Sequence, residues 1–434
     1  MREVLFKVVT NLGFKGLSVV LVLAMQVMLA RWLTPVEYGQ FALLQVIAVG
    51  FATFAQAGMQ NAYMKLIAQL DDLFGVLQVT LVCIRLVFRN LWIALFGFLI
   101  MTIILYQLKK IESVNVIILF AYYISFQALM MMLLAWYRGV NKAYISSLLE
   151  QGSYSGLTVA FGFCWLLVYQ EKLHLEAAVS AFSVSVSVIF VLALIPVILK
   201  LIEHKNDVYS ADIMRIKQLS RRFLIMDVAT YLTNWGGVIA VGFILATEQV
   251  AELSVAQRLS QIIIFFLIAF NGVVGPRFAR LSAQNDWESV RKLAQYTSCI
   301  MTLITLPVAG IVIAFGSQLL GVFGDKYVDA YPLLLVLLVG QVVNSLTGSV
   351  GFLLNMTNHE KIVRNIVVVS SVVTLLVSIV ATWQFGVIGA AISITLGVAL
   401  NNLTMVFFVY KYLGFVTIPG LQWIGRQGWV SQSR

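Results

Sequence analysis

The sequence predicts an all-α polytopic membrane protein, with about twelve transmembrane helices in two parallel six-helix bundles around a central cavity. Three observations carry this. Twelve apolar stretches, each near the ~20 residues that cross a bilayer as a helix, follow one another down the chain. The composition is 61% hydrophobic and 11% charged, with a mean hydropathy of +0.94. Lys and Arg collect in every second gap between the stretches. Within lipid only helices and closed barrels satisfy their backbone polar groups, and stretches of this length fit helices.

The segment 1–9, MREVLFKVV, has no small-residue cleavage site and reads as an interfacial lead-in rather than a signal peptide. The first span, 13–34, closes on Arg31-Trp32 before a turn at Pro35, and the second runs over 38–58. The third, 86–107, is the least clean, because Arg85 and Arg89 sit where it begins. The spans 115–137, 145–168 and 177–200 complete an N-terminal bundle, 1–200. A charged stretch, 201–218, links it to a C-terminal bundle, 219–411, and a tail, 412–434, follows. The second bundle holds the spans 219–246, 252–275, 292–316, 331–355, 364–384 and 387–411. Pro196, Pro276, Pro307 and Pro332 mark kinks or ends.

An even number of spans puts both termini on one side. Of the 29 Lys and Arg, 23 fall on that side, and only Arg31, Lys109, Lys110, Lys172, Arg258 and Lys326 fall on the other. Positive charge sets orientation, so both termini are expected in the cytoplasm. The net charge of +10 is mostly this signal, with anionic lipid headgroups as its partners. Nothing in it suggests nucleic-acid binding. Cys83, Cys164 and Cys299 show no paired spacing, and His174, His204 and His359 fall in loops without a metal-ligand or catalytic arrangement. No nucleophile with a base and no Gly-rich phosphate loop is readable, so no enzyme, metal or cofactor is expected.

Each half carries a similar passage at its first hairpin: Leu29-Ala30-Arg31-Trp32-Leu33-Thr34-Pro35-Val36-Glu37-Tyr38-Gly39 in one, and Leu245-Ala246-Thr247-Glu248-Gln249-Val250-Ala251-Glu252 in the other. Both put a tight polar turn between long apolar helices. The following helix then reaches a basic segment, Lys65 to Gln69 or Arg280 to Gln284. Parallel repeats of this kind place substrate near the midplane between the halves.

At these residues the chain resembles the polysaccharide (O-antigen type) flippases of the multidrug/oligosaccharidyl-lipid/polysaccharide exporter superfamily. The passage ARWLTPVEYGQFAL is similar to that family's first hairpin. Val255 to Ser260, running on to Gly275-Pro276-Arg277, resembles its eighth helix, and Phe323 to Ala330 resembles the lead-in to its tenth. One departure is the second turn, where Ala251-Glu252 replace the expected Gly.

The resemblance implies a protein of the bacterial inner membrane. It would flip an undecaprenyl-diphosphate-linked oligosaccharide from the cytoplasmic to the periplasmic leaflet by alternating access, for O-antigen (lipopolysaccharide) or exopolysaccharide assembly. A polysaccharide polymerase and a chain-length regulator would be its partners. A proton, sodium ion or the membrane potential would drive it.

A charge inside a span is costly and is a functional candidate by default. Arg258 lies about one turn into the eighth span. It is read as a diphosphate contact, since guanidinium grips phosphate in a two-pronged fork; an ion pair with Glu248 or Glu252 is the alternative. Arg31 is a second diphosphate candidate, against an interfacial role beside Trp32 and Glu37. Lys15 and Lys65 stand where a headgroup would enter, or simply anchor their spans. Arg85 and Arg89, four apart on one helical face, line a vestibule or lie against headgroups. Asp227 is read as the only acidic residue inside a span, carrying a coupling ion, balancing a cavity Arg, or pairing with Arg221 or Arg222.

Asn61, Asn234 and Trp235 are the candidate sugar contacts, with Gln56, Asn271, Asn344, Asn355, Asn401 and Asn402 as further neutral polar groups. In membrane bundles such groups more often serve helix packing. Gly236-Gly237 would let the seventh span bend. Two other readings stand beside the flippase. A cation-coupled multidrug exporter of the same superfamily would favour an acidic or aromatic cavity. A glycan-assembly enzyme would favour a large external loop.

Overall fold

The computed structural model describes residues 2–67, 73–140, 142–202 and 213–421. The N-terminal helices are α1 (Arg2–Trp32), α2 (Pro35–Gln56), α3 (Met59–Ile67), α4 (Leu73–Gln107), α5 (Val114–Gly139), α6 (Ala143–Leu149), α7 (Gln151–Tyr169) and α8 (Leu175–Ile202). Then come α9 (Ile213–Ile244), α10 (Thr247–Ser260), α11 (Ile262–Ala283), α12 (Trp287–Gly321), a 3-10 turn (Asp325–Ala330), α13 (Tyr331–Thr347), α14 (Val350–Met356) and α15 (Glu360–Leu413). The protein is all-helical and multi-pass. Residues 203–212 of the expected linker and 422–434 of the expected tail lie outside the described residues.

Ten helical segments among the described residues are long and apolar enough to cross a bilayer. They follow the expected spans except at two places. The eighth span is α10 and α11, parted at Gln261, and α10 is rich in polar residues. The eleventh and twelfth run together as the 54-residue α15, about 80 Å if straight. It folds back at Gly386 (φ 65°, ψ −148°), a backbone state that glycine adopts at little cost. The arms then pack closely: Ser378 Oγ lies 2.7 Å from Ser393 Oγ, and a Cβ on Gly389 would stand 2.0 Å from the Ala381 carbonyl oxygen.

The prolines divide between helix interiors and helix starts, and Pro332 marks an end as expected. Pro196 and Pro307 sit inside α8 and α12, and the non-helical residue of α12 is Phe315. Pro35 and Pro332 begin helices, where a missing N–H costs nothing. Further breaks fall at Ala57-Gly58, Glu150, Gln261, Gly348 and Gly386. At three of them a glycine takes positive φ.

Two compact units result. One is Met1–Val228 with Ala246–Ala251, and the other is Ala229–Leu245 with Glu252–Arg434. The first has an aromatic core around buried Phe182, whose ring centroid lies 5.5 Å from Phe41, 4.9 Å from Tyr123 and 5.7 Å from Tyr154. These rings tie α2, α5, α7 and α8 together. The second unit packs on small and hydroxyl residues: Ser298 Oγ donates to the Leu346 carbonyl at 2.7 Å, Thr395 Oγ1 to Val336 at 2.8 Å, and Thr305 pairs with Ser345. Lipid gives apolar faces no reason to associate, so close backbone approach and hydroxyl bonds do that work.

Candidate functional site: a cation–aromatic pair, a polar cavity and an ion cluster

In the second unit, α9 and α10 bring together three residues singled out in the sequence. The Arg258 guanidinium stacks over Trp235, 5.1 Å from the ring centroid. One residue along, Gln257 Nε2 donates to the Asn234 carbonyl at 2.7 Å. A cation over an indole face is worth about 1 kcal/mol when part-buried, enough to hold the guanidinium in one orientation. α10 can carry this charge because protein, not lipid, surrounds it: Val250, Ala251, Leu253, Val255, Ala256, Gln257 and Leu259 are all buried. α9 runs through Gly236-Gly237 without a break. Gly237 instead admits a neighbour, since a Cβ there would stand 2.6 Å from Ile394 Cγ1 of α15.

Asn234 also lines a cavity of about 150 Å³ within this unit, with Thr230, Thr233, Gln341, Asn344, Asn401 and Asn402 among its walls. Asn234 and Asn402 give an amide N–H to their own helix, at Thr230 and Val398. The buried oxygens of the Gln341 and Asn401 side chains have no partner among the described residues. Uncharged amides and hydroxyls both donate and accept, as sugar hydroxyls do, and the two unpartnered oxygens call for donors, which phosphate oxygens are not.

In the first unit Lys15 is brought to a partner that sequence reasoning missed. Its Nζ lies 2.8 Å from Glu150 Oε2, while Arg138 binds the other oxygen, Glu150 Oε1. Arg138 Nε also donates to Ser146 Oγ at 2.9 Å. Glu150 lies inside the span Tyr144–Tyr169, so Asp227 is not the only acidic residue in a span. The signal was present: a carboxylate six residues into the expected 145–168 stretch, hidden by the average hydropathy around it.

The other candidates are dispersed. Arg31 is exposed at the end of α1, and Trp32 beside it packs edge-on against Phe163. Glu37 closes a capping box with Thr34, accepting from Thr34 N at 2.9 Å. Arg85 and Arg89 share an exposed face of α4 near the start of the span Val82–Gln107. Asp227 is half-buried on α9 within Ile216–Ile244. Asn61 and Lys65 lie on α3, but their side chains are outside the described residues, as is that of Asn271. Gln56 serves packing, donating to the Ala128 carbonyl at 3.2 Å.

Comparison with known proteins adds a family to this geometry. Residues 4–282 match the family model described as polysaccharide biosynthesis protein, and residues 223–380 match the MatE model. The chain is 22% identical over 212 residues to a probable low-salt glycan biosynthesis flippase, Agl15, of Haloferax volcanii, a match covering 46% of this chain and 45% of that protein. It therefore spans about half the length of that curated relative. Its fold is similar to lipid II flippase MurJ in an inward closed conformation, with TM-score 0.74 at 14% identity over 93% of this chain and 87% of the other. An inward-facing multidrug resistance MATE family transporter of the MOP superfamily gives TM-score 0.68 at 13% identity over 94% and 98%. With more than half its length in the first match, the chain is a member of the polysaccharide biosynthesis protein family, built on the helical fold that those flippase and transporter structures share.

Proposed function

We propose that the chain is a flippase of the bacterial inner membrane, both termini cytoplasmic, that moves undecaprenyl-diphosphate-linked oligosaccharide units to the periplasmic leaflet by alternating access. Its product would feed O-antigen or exopolysaccharide assembly. The lipid tail of such a substrate never leaves the bilayer. Its diphosphate and sugars cannot enter hydrocarbon without several kcal/mol of penalty per polar group, so the protein must supply their path. The observation that carries the reading is Arg258 of α10 held over Trp235 of the span Ile216–Ile244: a cation for the diphosphate beside an aromatic face and an Asn for sugar. Family membership supports the same chemistry. Coupling to a proton, a sodium ion or the membrane potential belongs to the proposal, with Asp227 as its candidate carrier.

The test is flipping of a fluorescent undecaprenyl-diphosphate sugar in liposomes. Loss of a hydrogen-bonded charge contact costs about 1.5–3 kcal/mol, so Arg258→Ala is expected to slow flipping roughly 10- to 100-fold. Arg258→Lys, which keeps charge but loses the fork, should fall between. An unchanged rate in a folded Arg258→Ala protein would remove the residue from the path. Normal surface-glycan export after gene deletion, with no redundant partner, would remove the function. A second reading, a cation-coupled small-molecule exporter, is favoured by the MatE match over 223–380; drug efflux without lipid flipping from the same liposomes would select it.

A further inference from the structure

We infer that Lys15 and Arg138 form a binding pair for the diphosphate of a prenyl-linked substrate, and that Glu150 is a built-in stand-in for that anion. The inference rests on the flippase reading for the identity of the headgroup. The two cations each hold one oxygen of a single carboxylate, the spacing that two oxygens of a phosphoryl group also present. Their charge exceeds that of the carboxylate by one, so a more highly charged anion suits the pair better than Glu150 does.

Glu150 does not serve its helix as a hydrogen-bonding cap. It occupies the N-cap position of α7 with ψ −168°, and its side chain does not cap, whereas a capping residue normally binds the first-turn amides. One of those amides, Gly152 N, is taken by Ser18 Oγ of α1 at 3.0 Å. α1 comes this close only because residue 152 is glycine: a Cβ would stand 2.3 Å from Ser18 Cα. Lys15 and Ser18, one turn apart on α1, thus both meet the start of the 19-residue α7. The positive end of that helix adds to the attraction for an anion.

The side chains of Lys15, Glu150 and Arg138 are 28%, 19% and 30% exposed, so the cluster is sheltered yet reachable. The residues flanking it in sequence, Tyr137 and Leu149, line a cavity of about 280 Å³ between α5, α6 and α8, with Lys142, Leu192 and Pro196 also in its walls. Its apolar walls fit the first isoprene units of a prenyl chain, which points to a lipid-borne diphosphate over a free one. Exchange needs no covalent step. Glu150 sits at a helix break, so its side chain can leave the cations without unwinding either helix.

A competitor that fills the pair about nine-tenths of the time weakens apparent affinity about tenfold. Purified protein titrated with inorganic pyrophosphate should therefore bind about tenfold tighter as Glu150→Gln than as wild type. Glu150→Gln should melt lower without pyrophosphate and recover with it, and adding Lys15→Gln with Arg138→Gln should abolish both effects. A lowered melting temperature that pyrophosphate does not restore, or equal affinity in all forms, would reduce the cluster to a structural clamp and overturn the inference. If Glu150→Gln does not fold, Glu150→Asp, which shortens the reach to the cations, should tighten binding partially; unchanged affinity would overturn it equally.

Phosphatidylcholine vesicles carrying undecaprenyl diphosphate should stabilise wild type at lower concentration than pyrophosphate; equal potency would overturn the lipid assignment. Liposomes in which wild type flips nothing, while Glu150→Gln still gains pyrophosphate affinity, would sink the flippase reading alone. Normal flipping by the folded Lys15→Gln, Arg138→Gln protein would sink the pair alone.

Discussion

Gly39 sits where a methyl group has no room, since a Cβ there would stand 1.8 Å from the Thr247 carbonyl oxygen. Both belong to one compact unit, and an obstacle made of backbone cannot rotate away. Gly39→Ala is expected to cost about 1–3 kcal/mol through overpacking, read as a lowered melting temperature in detergent, with no such change for Gly13→Ala, where the space is open. A melting temperature equal to wild type would show that the contact yields. The Tyr38-Gly39 pair was visible in the sequence as part of a turn, but its reason was not, because Thr247 lies more than two hundred residues away. The same holds for Arg258 and Trp235: each was legible as a candidate from its span and chemistry, and their stacking was not, because it depends on how α9 and α10 pack. Glu150 is the opposite case, a charge legible in one line of sequence and overlooked within an apolar average.

At the scale of elements, the spans were legible because a fixed bilayer thickness imposes a fixed length of apolar helix. The fold-back in α15 was legible too, as the gap between 384 and 387. The breaks inside α2–α3, α6–α7 and α13–α14 were not. Hydropathy is blind to backbone angles, and no proline stands at these three breaks to announce them. Gly386 is the sharpest test. An L-residue at φ 65°, ψ −148° is strained by about 1–3 kcal/mol, so Gly386→Ala should lower the melting temperature or the folded yield. A glycine inside a regular stretch, Gly310, where a Cβ meets nothing, should tolerate alanine. Equal tolerance at both positions would contradict the hairpin geometry.

For the whole molecule, the distribution of Lys and Arg makes a prediction independent of any site. In a protein whose three cysteines are changed to serine, single cysteines at Lys109 or Lys172 should react with a membrane-impermeant maleimide added to intact cells. Cysteines at Asn285 or Lys361 should react only after permeabilisation. All four native residues are exposed, so failure to label reports the side of the membrane rather than burial. The reverse pattern would invert the topology and, with it, the direction from which a headgroup meets Lys15 and Arg138.

The α15 hairpin also bears on how the chain is made. Between its arms lies no polar loop, only Trp383-Gln384-Phe385-Gly386, with Trp383 75% and Phe385 63% exposed, rings of the kind that settle at the membrane surface. Its seam is already self-complementary, with Ser378 against Ser393 and Gly397 against Thr374. The last two spans therefore have what they need to leave the translocation machinery as a preformed pair and to dock late, as one piece, onto helices that are already in place.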